Sequence, residues 1–203
     1  MAENQNNRRS AYAKKKADAH KEARRAAREA VLALLFETEY HKDEAPEAIF
    51  LRAAEARDID PADKYIRAEY MGIMENLTVI DTVLGRHAKG WRTDRLSRVS
   101  RAVLRLGAYE IIYAEKIPAP IAINEAVELA KKFDDPKARA FINGVLNAVK
   151  NELEENGGIL PVVENAAETA AETAAETAAV EEIPPVEELD ADPAVQVEAT
   201  EAE

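Results

Sequence analysis

Four cations stand close together near the start of the chain: Lys21, Arg24, Arg25 and Arg28, at positions i, i+3, i+4 and i+7. On a helix this spacing puts all four on one face. Such a face can neutralise several phosphates, an attraction that weakens steeply with salt and carries little sequence information. The same spacing also suits a solvated face paired with Glu22 and Glu29, and residues alone do not choose between the two. Other chemistry-bearing types are sparse. His20, His41 and His87 stand on different segments, and the absence of cysteine excludes disulfides, thiolate zinc sites and cysteine nucleophiles. No glycine-rich phosphate loop, HExxH or GxSxG motif occurs. Glu110, Glu125 and Glu128 are candidates for a general acid–base pair, but pairing along a helix surface, such as Glu128 with Lys132 at i+4, accounts for them more simply. Neither catalysis nor a metal or other cofactor is expected.

Helices must position these groups, because every apolar period in the chain is helical. Val31, Leu34, Leu35 and Thr38 mark a buried stripe directly after the cations. A short helix follows from about Pro46 to Arg57, with Ile49, Phe50 and Ala53 inward. The spacing of Ile66, Tyr70, Ile73, Leu77, Ile80, Val83 and Leu84 predicts one long helix over Pro61–His87, a central strut closed by Gly90, with Trp91 capping the base of the bundle. Ser97 is placed to cap a helix carrying Val99, Val103, Leu106, Tyr109 and Tyr113. Pro118 and Pro120 suit the start of the next, since proline's missing N–H would be unsatisfied there anyway. Asp135-Pro136 opens the last, which carries Ile142, Val145, Leu146 and Val149 and stops at Gly157-Gly158. Phe141 lies about 80° to one side of that apolar stripe, at about 100° per residue, and on composition reads as core edge. Gly144, costing about 1 kcal/mol in mid-helix, implies close approach of another backbone.

Charge divides the chain in three. The 203 residues carry a net charge of −12, yet residues 157–203 hold 13 Asp and Glu and no Lys or Arg. Residues 1–28 hold nine basic side chains against three acidic ones. The reading is a flexible basic extension over 1–20, one helical domain over 21–156, and a disordered acidic tail over 157–203, whose Ala-Ala-Glu-Thr repeat has too little apolar surface to offset its ordering entropy. The charge split also suggests a tail that folds back on the arginines. With no apolar run near the ~20 residues of a membrane span and no leader pattern, a cytoplasmic protein is expected.

Three motifs carry a family resemblance. RAVLRLGAYEI (101–111), INEAVELAKKF (123–133) and FINGVL (141–146), in that order and spacing, resemble the C-terminal half of the bacterial transcription antitermination family NusB. The resemblance extends more loosely upstream to 24–40 and 61–87. It implies an all-α fold of about seven helices in two small packed bundles. It implies binding of single-stranded boxA RNA from nascent ribosomal RNA transcripts, together with the small-subunit ribosomal protein NusE, in an RNA polymerase antitermination complex with other Nus factors. Mapped onto this sequence, the RNA-binding residues are Lys21, Arg24, Arg25, Arg28, Lys137, Arg139 and Phe141. The family's arginine motif is interrupted here by Ala26 and Ala27. The ribosomal partner is expected on exposed positions of 64–86 and 98–115, including Arg98, Arg101 and Arg105. The alternative is a helical scaffold or homodimer that binds no RNA by itself.

Overall fold

The computed structural model describes residues 2–57, 59–60, 63–88 and 96–158, with backbone alone for 2–13. Within them lie seven helices: α1 (Ala2–Thr38), α2 (Pro46–Arg57), α3 (Lys64–Glu75), α4 (Leu77–His87), α5 (Arg98–Tyr113), α6 (Ala119–Phe133) and α7 (Ala138–Glu155). No strand occurs among the described residues. None of these helices is long and apolar enough to cross a membrane. Pro61, Gly90, Trp91 and the acidic tail from Ile159 onward lie outside the described residues.

Helix α5 is the hub. It lies against α1 and α3 on one side and against α4, α6 and α7 on the other, so two small bundles share it. The reason is its composition: Ala102, Val103, Leu104, Leu106, Ala108 and Ile111 are all buried, which spreads apolar surface over most of the helix circumference. A helix that is apolar nearly all round has to be enclosed. Leu104, Leu106, Ile142 and Leu146 are almost wholly inaccessible, and each contributes about 1.5–3 kcal/mol by leaving water. Gly107 lets α5 approach its neighbours closely. A methyl placed there would sit 2.7 Å from Leu146 Cδ1 and 3.3 Å from Ala126 Cβ.

Helix ends follow ordinary capping chemistry. Ser97 Oγ accepts the Ser100 N–H at 2.8 Å, and Asp63 accepts those of Tyr65 and Ile66 at 2.8 and 3.1 Å. Pro118 precedes α6, and Pro120 sits in its first turn. α7 closes through Gly157 and Gly158, at φ 66° and 85°, with Gly158 N–H reaching Leu153 C=O at 2.8 Å and Gly157 N–H reaching Glu154 C=O at 3.2 Å. This is the paired bonding that a left-handed glycine permits at a helix end.

α1 runs unbroken from Ala2, in keeping with an Ala- and Lys-rich sequence of high helix propensity. Two sequence expectations change. The long strut over 61–87 is two helices, broken at Asn76 (φ −106°, ψ 14°), whose side-chain amide donates to Gly72 C=O at 2.8 Å. Asparagine competes locally with the helix's own bonding, and the central position passes to α5. Gly144 meets no backbone: a methyl built there has nothing within 4 Å.

The two glycines therefore differ in what they tolerate. Gly107→Ala should lower stability by about 1–2 kcal/mol, overpacking outweighing the gain in helix propensity. Gly144→Ala should raise it by up to about 1 kcal/mol. Urea unfolding of both variants checks this, and equal effects at the two sites would mean that the packing around α5 is misread.

Candidate nucleic-acid interface

The cationic face of α1 divides into an inward and an outward part. Arg28 follows Ala27 and precedes Val31 and Leu32 on the buried side of the helix, and it is only 5% exposed. Its Nε donates to Glu110 Oε1 at 2.8 Å, and its Nη1 lies 3.9 Å from Glu125 Oε2. Burial works against the charged guanidinium, but the Glu110 charge and hydrogen bond outweigh it, so the Arg28 pKa is raised. Arg28 is thus a buried, paired cation lining the inner side of the site, which corrects the expectation of four cations on one open face. The physical reason is position along the axis: Arg28 lies within about 20° of Lys21 around the helix but about two turns further on, where α1 packs against α5 and α6.

Arg24 and Arg25 are half-exposed and held from behind. Arg25 grips Glu125 with Nε at 3.0 Å from Oε2 and Nη2 at 3.3 Å from Oε1. That hydrogen bond and the Glu125 charge raise its pKa. The Arg24 guanidinium lies 4.2 Å over the Tyr65 ring, a contact that fixes a cation while leaving its edge N–H groups free. Tyr65 Oη in turn donates to Glu110 Oε1 at 2.7 Å. Burial, then the Glu110 charge, raises the Tyr65 pKa, keeping the phenol protonated as a donor. Lys21 is exposed one turn earlier. Beside these side chains runs a groove of about 810 Å³, bordered by Lys21, Arg24, Tyr65, Tyr113, Lys116 and Asn124.

The organising carboxylates are the residues that sequence reasoning missed. Glu110 is 1% exposed and Glu125 6%, neither being a surface helix pair. A signal was present: Glu110 sits at i+4 from Leu106 and Glu125 at i+3 from Ala122, both on buried rows. Charges of opposite sign on the apolar faces of two helices imply that the helices meet there. The pairing expected between Glu128 and Lys132 also differs: Glu128 lies 3.5 Å from Lys131, while Lys132 reaches Glu29 of α1 at 2.7 Å. Glu69 lines the groove at 6% exposure, its Oε2 lacking a hydrogen-bond partner among the described residues.

The second set of expected residues begins α7. Lys137 is exposed at its N-cap, Arg139 is half-buried with no hydrogen-bond partner for Nε among the described residues, and Phe141 is half-buried against the core. The Lys132–Glu29 contact ties the end of α6, just before these residues, to α1. The expected partner row on α5 is mostly committed within the fold. Arg105 forks onto Asp81 of α4 at 2.8 Å by both Nε and Nη2, and it also binds Glu39 just after α1. Arg101 reaches Glu39 at 2.9 Å. Only Arg98 is exposed, 4.4 Å over the ring of Tyr40, which is itself exposed. Arg105 therefore clamps α5 to α4 and to the end of α1.

Arg28→Ala should destabilise the protein by about 3–5 kcal/mol, since it strands a buried Glu110, while Lys21→Ala should change stability by no more than about 0.5 kcal/mol. Chemical denaturation separates the two, and an unchanged midpoint for Arg28→Ala would refute the buried pairing. Burial, then the Glu110 charge, pushes Glu69 up to about 7 from 4.5. The folded protein then binds more protons than the unfolded chain between those values, so stability falls as pH rises through that window. Glu69→Gln should match the parent below about pH 4.5 and exceed it by on the order of 1–3 kcal/mol above about pH 7; thermal unfolding across pH provides the check.

Comparison with known proteins gives this geometry a family. The profile of the NusB family matches residues 22–151. Transcription antitermination protein NusB of Bacillus subtilis is 40% identical over 133 residues, covering 66% of this chain and 98% of that protein. Among solved structures, the fold is similar to T. maritima NusB at TM-score 0.58 and 38% identity, covering 64% of this chain and 91% of that one. It is also similar to a crystal structure of antitermination factors NusB and NusE in complex with dsRNA, at TM-score 0.56 and 29% identity, covering 63% of this chain and 96% of that one. With seven helices folding around α5 and the family's motifs matched over most of the folded part, the chain belongs to the NusB family.

Proposed function

We propose that this protein is a cytoplasmic antitermination factor that binds boxA RNA of nascent ribosomal RNA transcripts together with ribosomal protein NusE, within an RNA polymerase complex containing other Nus factors. The observation that carries this reading is the outward edge of α1. Lys21 and Arg24 border the groove and Arg25 borders a smaller one beside Glu125, Arg24 and Arg25 being fixed in orientation by Tyr65 and Glu125. Guanidinium groups held in place lose little freedom on meeting phosphate and present two donors at once. Phe141, with Lys137 and Arg139 near it in sequence, supplies a half-exposed aromatic edge for stacking on a base.

The role is assembly rather than chemistry. One solved relative is a NusB bound to NusE and dsRNA, which supports a protein and an RNA partner for this chain. A protein partner is also supported by a second groove of about 960 Å³, bordered by Ala26, Ala30, Ala33, Phe36, Val99 and Phe133. Its apolar lining, with Phe133 44% exposed, suits a protein surface better than a phosphate chain. A homodimer would cover the same groove. Such a dimer should persist in high salt, where RNA binding weakens, and sedimentation across a salt series tells the two apart.

The deciding experiment is binding of boxA RNA against a scrambled control. Arg24→Ala with Arg25→Ala should weaken binding to both RNAs, lowering the slope of log affinity against log salt by about 1.4 for two lost phosphate contacts. Phe141→Ala should cost about 1–3 kcal/mol with little change in slope. Equal binding of both RNAs by the parent protein, alone and with NusE, would refute the reading.

A further inference from the structure

Among the described residues, the side chains of α1 that precede the family match, Lys14–Lys21, are unburied. Every described residue from Lys14 to Ala23 is exposed, yet the helix continues without a break into the residues that carry Arg24 and Arg25. The sequence there, KKKADAHKEA, has no apolar row that would seat it on another protein. Lys14, Lys15 and Lys16 point about 100° apart in turn, so cations stand on three sides of the helix, and Arg8 and Arg9 add two more in sequence. Lys14, Lys21 and Arg25 fall within about 40° of one another, a stripe rising about 16 Å along the helix axis. It leads from the exposed segment to the candidate site.

We infer that residues 14–21 form a helical arm that binds the phosphate backbone of RNA flanking the segment held at Arg24 and Arg25. The inference rests on the RNA-binding reading above and extends it to a second, sequence-independent contact. Three features select the ligand. The charge is uniform in sign apart from Asp18 and Glu22, it surrounds the helix, and no Phe, Tyr or Trp stands between Lys14 and Ala23. Such a surface reads charge, not sequence. A polyanion also meets a physical need of the helix itself, because an isolated helix with neighbouring like charges and no packed face is marginal in water.

The test compares the full-length protein with a Lys14→Ala, Lys15→Ala, Lys16→Ala variant and with Arg24→Ala, Arg25→Ala. Alanine is the strongest helix former, so the arm keeps its helix, and circular dichroism verifies this. Each protein is titrated, across a salt series, with a short boxA RNA and with the same RNA extended on both sides by arbitrary sequence. The parent should bind the extended RNA more tightly and with a steeper salt slope. The lysine variant should lose that advantage, its slope on the extended RNA falling by about 2 for three released phosphate contacts at ~0.7 each, while its preference for boxA over a scrambled RNA stays unchanged. Identical slopes for the parent and the lysine variant overturn the arm. So does loss of binding to anionic phosphatidylserine vesicles in the lysine variant with its RNA slope intact, which would assign the lysines to a membrane surface. A lysine-dependent slope without any boxA preference in the parent would sink the reading under the previous heading and leave the arm standing.

Discussion

The structure depends on one buried charge cluster. Arg28 of α1 and Glu110 of α5 meet at 2.8 Å where both are almost wholly withdrawn from water. Taking two ions out of water costs several kcal/mol each unless their remaining hydrogen-bonding capacity is met. Here it is met by neighbours: Tyr65 donates to Glu110, and Glu125 stands behind both Arg25 and Arg28. Four helices, α1, α3, α5 and α6, contribute to the cluster. Apolar packing alone would let α1 slide or rotate on α5 with modest loss. An ion pair that must be satisfied leaves it a single register.

That register shapes the functional face. With Arg28 turned inward, Arg24 and Arg25 are aimed outward on the same helix, one braced by an aromatic ring and the other by a carboxylate. A family feature that reads in sequence as one run of cations thus divides its work. One arginine anchors the helix and two face the solvent from it. A second clamp repeats the principle at the far end of α1, where Arg105 holds Glu39 and Asp81 and so ties α1, α4 and α5 together. These two clusters join helices of the two bundles beside the hydrophobic core.

Much of the fold was legible because helical burial leaves a periodic trace. The stripe on α7, Val103 and Leu106 at the centre of that on α5, the Ser97 cap, the proline entry to α6 and the glycine exit from α7 stand where spacing put them, while Tyr113 ends exposed. Where reading failed, a local rule met a tertiary one. Asn76 looked like one polar position in a long amphipathic run, and a side-chain bond to Gly72 was enough to divide it. Gly144 looked like a packing glycine, but the tight approach belongs to Gly107 against Leu146 and to Gly72 against Tyr109. Which glycine faces a neighbour depends on how two helices are rotated, and one helix's sequence does not contain that angle.

The sequence by itself determined the all-α class, the family, the position of the cations along α1 and the placement of most helix ends, because these follow from local periodicity, capping chemistry and residue type. Only the tertiary structure decided which cations are available. Arg28 and Arg105 carry the same charge as Arg24 and Arg98, and nothing in their spacing marks them as core residues. Their role was set when Glu110, Glu39 and Asp81 arrived from distant parts of the chain. A buried charge is defined by its partner, and partners distant in sequence come together only when the chain is folded.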